Sequence, residues 1–164
     1  MTISTDLERL NYGSPAGCIA PGQHRQVIQS VGATRQLLAE ESGALCLFDR
    51  AAGVVYTLPT PVEGMQFDFM ATVSVTSNAY KTITKTIASE FLIGGVTMSS
   101  LTVAESGDFF VANGTSHVAI SEAGSTTGGL VGGGYRLTAI SATQWAIKGV
   151  TCGSGTLADP FATS

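Results

Sequence analysis

Residues 65–75 alternate between apolar and polar side chains, and this pattern constrains the fold more than any other stretch of the chain. Neighbouring side chains of a β-strand point to opposite faces, so the alternation predicts a long strand with one buried side. A helix is excluded because Asp68 would share a stripe with Ala71. Met70 is the one apolar residue on the otherwise polar face. We expect the rest of the chain to pack against the apolar face, which comprises Met65, Phe67, Phe69, Ala71, Val73 and Val75.

Four hairpins are predicted from turn-prone residues between apolar runs. The 65–75 strand is expected to pair with residues 80–87 through a turn at residues 77–79. Asn113 and Gly114 predict a tight type I′ turn between residues 108–112 and 117–120, because both residues tolerate positive φ. The other two turns are at residues 49–53, between strands at 44–48 and 54–58, and at residues 141–143, between strands at 135–140 and 144–150.

These patterns predict an all-β fold. Short strands are expected at residues 25–29 and 34–38, a strand broken by a bulge or corner at 91–98, and a flexible loop at 124–129. At least eight strands, with a turn about every 8 to 12 residues and no long helix, predict a single-domain antiparallel β-sandwich or β-barrel. The domain is expected to span residues 25–152, with an extended N-terminal arm at 1–24 and an extended C-terminal tail at 153–164.

Composition narrows the classes of partner. The 164 residues suit one domain. Charged residues make up only 12%, against about 25% in an average domain, which indicates surface hidden against a partner or against copies of the chain. A β-sandwich with many Ser and Thr residues outside is the alternative. The net charge of −4, without any cluster of Lys and Arg, argues against nucleic acid. No apolar run approaches the ~18 residues of a membrane helix, so no membrane partner is expected.

Catalytic and metal-binding patterns are missing from the sequence. Glu40 and Glu41 are adjacent and would point apart in a strand, which disfavours a pair of catalytic carboxylates. His24 and His117 are far apart, and no Cys or His pair has the spacing of a zinc site. We therefore expect a non-enzymatic protein without a metal or cofactor. The acidic N-terminus does not look like a signal peptide. The three cysteines are therefore expected to be free thiols: Cys18, Cys46 and Cys152.

Two further motifs resemble ligand-binding sites. The glycine-rich residues 128–134 could be a phosphate-binding loop, but they continue with Tyr135 and Arg136 and not with the Lys-Ser or Lys-Thr pair of such loops. Trp145, close to Lys148, could stack on a sugar, but a single strand Trp is more often a core residue. Neither motif predicts a ligand site.

A resemblance to a known family rests on residues 56–84. The sequence YTLPTPVEGMQFDF at residues 56–69 is similar to a TLPxPxxGxxFxF segment of tailed-bacteriophage virion structural proteins, many of them head decoration (cement) proteins. In that family the segment commonly follows a Ser-Gly and an apolar strand, as at residues 42–48. It precedes an Asn-Ala-Tyr turn and strand, as at residues 78–84, and the chain often closes with a strand, a short turn and a Trp strand.

The resemblance implies a bacteriophage virion protein that decorates and stabilises the capsid exterior by bridging subunits of the major capsid protein. It also implies self-association, with a homotrimer expected in preference to a dimer. Assembly on the capsid would follow synthesis in the host cytoplasm. A tail-associated receptor-binding or glycan-binding module is the alternative. The N-terminal arm is expected to contact the capsid through apolar residues that are spread among Gly and Pro: Leu7, Leu10, Tyr12 and Ile19.

Overall fold

Two β-sheets hold nearly all the regular structure in the computed structural model, which describes residues 24–103 and 106–164. One short 3-10 turn, Ala39–Glu41, is the exception within those ranges. In chain order, the strands are β1 (Val27–Ile28), β2 (Thr34–Gln36), β3 (Leu45–Phe48), β4 (Val54–Thr57), β5 (Gln66–Ala71), β6 (Tyr80–Ile83), β7 (Phe91–Ser100), β8 (Gly107–Asn113), β9 (Ala119–Glu122), β10 (Gly134–Ala139), β11 (Gln144–Gly153) and β12 (Phe161–Ala162).

The larger sheet has seven strands in the order β1-β3-β5-β10-β11-β7-β8, and the smaller has five in the order β12-β9-β6-β4-β2. Their inner faces share one hydrophobic core. Bonds between the sheets include a 2.8 Å hydrogen bond between the hydroxyls of Thr82 and Tyr135, and one of 2.9 Å from the Tyr56 hydroxyl to the Leu47 carbonyl. The expected single-domain all-β sandwich is confirmed.

The pairing is mixed, although an antiparallel sandwich was expected. The chain alternates between the sheets from β1 to β6, so that successive strands within one sheet run in the same direction. Strands β1, β3 and β5 are therefore parallel in the larger sheet, and β2, β4 and β6 are parallel in the smaller. Strand β7 is also parallel to β11, whereas the remaining pairs are antiparallel.

Three of the four predicted hairpins are wrong, because their two strands lie in different sheets: β3 with β4, β5 with β6, and β8 with β9. In the connection between β8 and β9, Gly114 has a positive φ of 77° but Asn113 does not, so the type I′ turn does not form. The Asn113 side chain instead accepts backbone N–H groups from residues 115, 116 and 117 at 3.0, 2.9 and 3.4 Å. The hairpin of β10 and β11 is confirmed.

Two other expectations about strands are corrected. Strand β7 runs unbroken through Gly94 and pairs with β11 along its whole length, so there is no bulge or corner. An added Cβ at Gly94 would lie 2.4 Å from the Ile147 carbonyl oxygen, which explains the glycine by close approach of the backbones. The last residues do not form a separate tail, because β12 pairs with β9 and Phe161 is buried. The sandwich therefore extends to Ala162.

The register of the organising strand is confirmed over Gln66–Ala71, the part of residues 65–75 that forms a strand. Phe67, Phe69 and Ala71 are buried, whereas Met70 on the opposite face is 43% exposed. Strand β5 ends at Ala71, earlier than expected, and Val73 is exposed because the chain is already crossing to the smaller sheet. The core also contains Trp145, which is fully buried as predicted.

Candidate functional site

The outer face of the larger sheet, which points away from the smaller sheet, has an unusual surface. Because side chains alternate along each strand, the residues between buried positions point outward. The strand registers align them into two rows that cross the sheet. The first, the apolar row, comprises Leu47, Met70, Gly134, Val150, Thr97 and Phe109. The second, the charged row, comprises Val27, Leu45, Asp68, Arg136, Lys148, Gly95 and Val111.

Large apolar side chains on these rows are exposed in the described part of the chain. Phe109 is 64% exposed, Val150 57% and Val111 54%. The outward sides of sheets in β-sandwiches are ordinarily polar, since they face water. A contiguous apolar patch on a β-sheet is typical of a surface that binds another protein.

An ion-pair cluster occupies one side of the charged row. The Arg136 guanidinium donates two hydrogen bonds to the Asp68 carboxylate, at 2.6 and 2.9 Å, and Arg25 adds an ion pair to the same carboxylate. Partial burial acts to raise the pKa of Asp68, but hydrogen bonds and charge from Arg136 and Arg25 hold that pKa below its usual value. Asp68, expected on a solvated face, is therefore tied into the surface by two arginines.

Glycines give the outer face its relief. Gly134, in the apolar row between Met70 and Val150, is one of the residues that line an open hollow of about 660 Å³. Gly95 and Gly149 lie in a second depression of about 450 Å³, beside Phe109. An added Cβ at Gly134 would lie 2.6 Å from the Phe69 carbonyl oxygen, so a side chain there would clash with the backbone. The outer face thus has exposed apolar side chains on β8 and an open hollow at β10.

A second polar cluster lies between the two sheets. Glu122 points inward and is only 3% exposed. Burial raises the pKa of its carboxyl to about 8, and a hydrogen bond from the Gly129 backbone partly offsets this rise. Nearby, the Thr151 hydroxyl is buried without a hydrogen-bond partner among the described residues. Because this carboxyl is closed off from solvent, it cannot contact a substrate in this structure.

The other residues considered from the sequence are dispersed. His117 stacks on Phe161 with ring centroids 5.7 Å apart, and its Nδ1 accepts the Asn113 N–H at 3.2 Å. His24 is exposed. Within residues 24–103 and 106–164, no three His, Cys, Asp or Glu residues come together as metal ligands. In the same ranges, no helix is long and apolar enough to cross a membrane.

The outcome for the remaining predicted residues is mixed. Leu7, Leu10, Tyr12 and Ile19, proposed to contact a capsid, lie outside the described residues, as does Cys18. Cys46 is a buried free thiol and Cys152 a half-buried one. Trp145 points into the core and Lys148 points outward, so the two do not form a sugar-stacking pair.

The predictions from the sequence included neither the apolar outer face of the larger sheet nor the buried carboxyl of Glu122. Phe109, Phe110 and Val111 are consecutive apolar residues on one strand, and such a run signals a strand that is apolar on both faces. Met70 gave the same signal for β5, because it is an apolar residue on the otherwise polar side of that strand. Glu122 is two residues after the buried Ile120, and this spacing places both side chains on the inner face.

Comparisons with protein-family models, with curated proteins and with solved structures find no match to this chain. Its surface and its sequence motifs are therefore the basis for a functional assignment. The outer face of the larger sheet is the feature that most clearly indicates an intermolecular role.

Proposed function

We propose that this chain is a non-enzymatic structural protein of a bacteriophage virion, which decorates the capsid exterior and stabilises it by bridging major capsid protein subunits. The observation that carries the proposal is the exposed apolar outer face of the larger sheet, which suits a protein that works within an assembly. The similarity of residues 56–84 to virion structural proteins supplies the particular assembly. A sandwich held by non-local strand pairing is also a suitable rigid clamp.

The physical role would be mechanical. Packaged DNA pushes outward on the shell, and a protein bound across the joints between subunits resists their separation. Each bound copy adds its binding free energy to the assembled state, because the site is complete only when the subunits are in place. Several contacts per oligomer would add avidity without requiring a tight individual contact.

The N-terminal residues are proposed to supply part of the capsid contact. Arg25, close to where the described chain begins, lies on the outer face and pairs with Asp68. The chain therefore enters the sandwich beside the exposed surface. Twenty-three residues can span up to roughly 75 Å when extended, which is long enough to reach a neighbouring capsid subunit.

The test uses purified protein and undecorated, DNA-filled heads of the same phage. We expect the intact chain to sediment with the heads and to raise the temperature at which they release DNA. A variant that lacks residues 1–20 should bind more weakly and protect less. The decoration proposal fails if the intact chain does not bind heads, and the arm contact fails if the truncated chain binds and protects as well as the intact one.

A matched pair of surface variants controls for nonspecific adsorption. Val111→Lys adds a charge to the outer face, whereas Val31→Lys adds the same charge at an exposed valine in the loop between β1 and β2. If the outer face is needed for the functional assembly, only the first variant should lose head protection. Equal behaviour of the two variants would show that the outer face takes no part.

A further inference from the structure

We propose that the outer face of the larger sheet is a self-association surface, on which a second copy of this chain packs face to face about a two-fold axis parallel to the strands. The inference goes beyond head decoration and does not depend on it, because the dimer can be detected in the absence of any capsid. Its basis is the relief of the outer face and the order of the strands that carry it.

The strand order makes the relief self-complementary. Strands β10, β11, β7 and β8 are consecutive in the sheet. A two-fold axis that runs between β11 and β7, in the plane of contact, places β10 of each copy over β8 of the other. It places β11 over β7 in the same way. Because the axis is parallel to the strands, each cross-strand row faces the same row of the partner.

The apolar row shows what this arrangement brings together. In that row, β10 contributes Gly134 and β8 contributes Phe109. The tip of the Phe109 ring rests on Gly95 of its own chain, with Cζ 2.6 Å from the position of an added Cβ there. On association the ring turns away from Gly95 to fill the hollow at Gly134 of the other copy, twice per dimer. Val150 lies over Thr97 in the middle of the row. An aromatic side chain that fills a pocket at the centre of a contact is the usual form of an interface hot spot.

The extent of the surface suits a dimer. The four strands contain 6, 10, 10 and 7 residues, which at sheet spacings project roughly 500 Å², before the relief of the side chains is added. That is the same order as the ~800 Å² per partner of stable interfaces. The facing contact is isologous, so it closes with two copies. A dimer by this surface thus differs from the trimer expected by resemblance.

The charged row sets a limit on the affinity. Arg136 is neutralised by Asp68, but the two Lys148 ammonium groups approach each other across the axis, opposite Gly95. This like-charge approach opposes association and is reduced by salt. We therefore expect a dissociation constant of about micromolar magnitude, lower at high ionic strength.

Sedimentation velocity of the full chain, from about 1 to 100 µM, tests the proposal. We expect a species of twice the chain mass. Phe109→Lys should raise the dissociation constant about 100-fold or more, because it removes the anchor and adds a charge. Lys148→Met should lower it, since the repulsion is removed. Val31→Lys should leave it unchanged. Far-ultraviolet circular dichroism verifies that each variant is folded.

Four results would overturn the proposal. If the chain stays monomeric at the highest concentration, the outer face is not a self-association surface. If it dimerises only after deletion of residues 1–23, its own N-terminal residues cover the face. A dimer or trimer unaffected by Phe109→Lys and Lys148→Met uses another surface. A monomer that loses head binding through Phe109→Lys would assign the face to the capsid.

Discussion

At the scale of single residues, Glu122 makes the stability of the fold depend on pH. Its carboxyl lies between the sheets, where burial raises the pKa from the ordinary 4.5 to about 8. Between these values the folded protein keeps a proton that the unfolded chain has released. The free energy of unfolding therefore decreases as the pH rises through this window, with a slope of up to about 1.4 kcal/mol per pH unit.

Glu122→Gln should remove this pH dependence, because the amide has the shape of the protonated carboxyl and does not ionise. Urea denaturation at several pH values between 4.5 and 8 measures the effect. The exposed Glu63→Gln is the control and should keep the wild-type slope. The stabilising ion pairs of Asp68, whose pKa is lowered, are lost only on acidification below its ordinary 3.8, so they fall outside this window. Equal slopes in both variants would contradict the assignment.

At the scale of elements, the buried face of β5 contributes more to the free energy of unfolding than its outer face. Phe67 is fully buried against Trp145, with ring centroids 6.1 Å apart. Phe67→Ala should lower the free energy of unfolding by about 3–5 kcal/mol. Asp68→Ala should cost only about 1 kcal/mol, because its ion pairs are at the surface. Thermal or urea denaturation compares them, and similar losses would mean that the register differs by one residue.

Strand β12 provides a second test at this scale. Phe161 is buried and stacks on His117, and residues 161–162 pair with β9. Phe161→Ala should destabilise the protein by about 3 kcal/mol, whereas Thr163→Ala, at an exposed neighbour, should cost almost nothing. If the two variants have the same urea midpoint, the C-terminal residues do not contribute to the sandwich.

The sequence predicted strands and their buried faces better than it predicted their partners. The alternation in residues 65–75 indicates which side chains enter the core, because burial follows the two-residue period. The same alternation is satisfied whether the next strand pairs alongside or crosses to the opposite sheet. Residues 77–79 and 113–114 therefore look like hairpin turns although both belong to crossings. Only the last hairpin, between β10 and β11, follows the local pattern.

At the scale of the whole molecule, the candidate surface was predictable only in outline. The low content of charged residues left two interpretations open: a surface hidden against a partner or another copy, and a sandwich with many Ser and Thr residues outside. It could not indicate which face, because the rows on the outer face bring together Met70, Val150 and Phe109 from distant parts of the chain. Such a surface depends on strand order, and strand order is set by long-range packing.

The sandwich also predicts the outcome of spectroscopy on the intact protein. Circular dichroism should show a β-rich spectrum with little helix, since the only helix-like element in the described ranges is the turn Ala39–Glu41. A helical fraction near the one third of average domains would contradict the fold.

The position of β10 and β11 has a kinetic consequence. These strands are synthesised after β5 and β7, yet they lie between those two strands in the middle of the larger sheet. A nascent chain that ends before residue 134 has two unpaired strand edges where that hairpin belongs, and such edges are sites of aggregation. Folding must also wait for pairings between distant segments, which are slow to form, on the order of milliseconds to seconds. The larger sheet is therefore completed only after β11 has left the ribosome, and the edges of β5 and β7 that face each other stay unpaired until then.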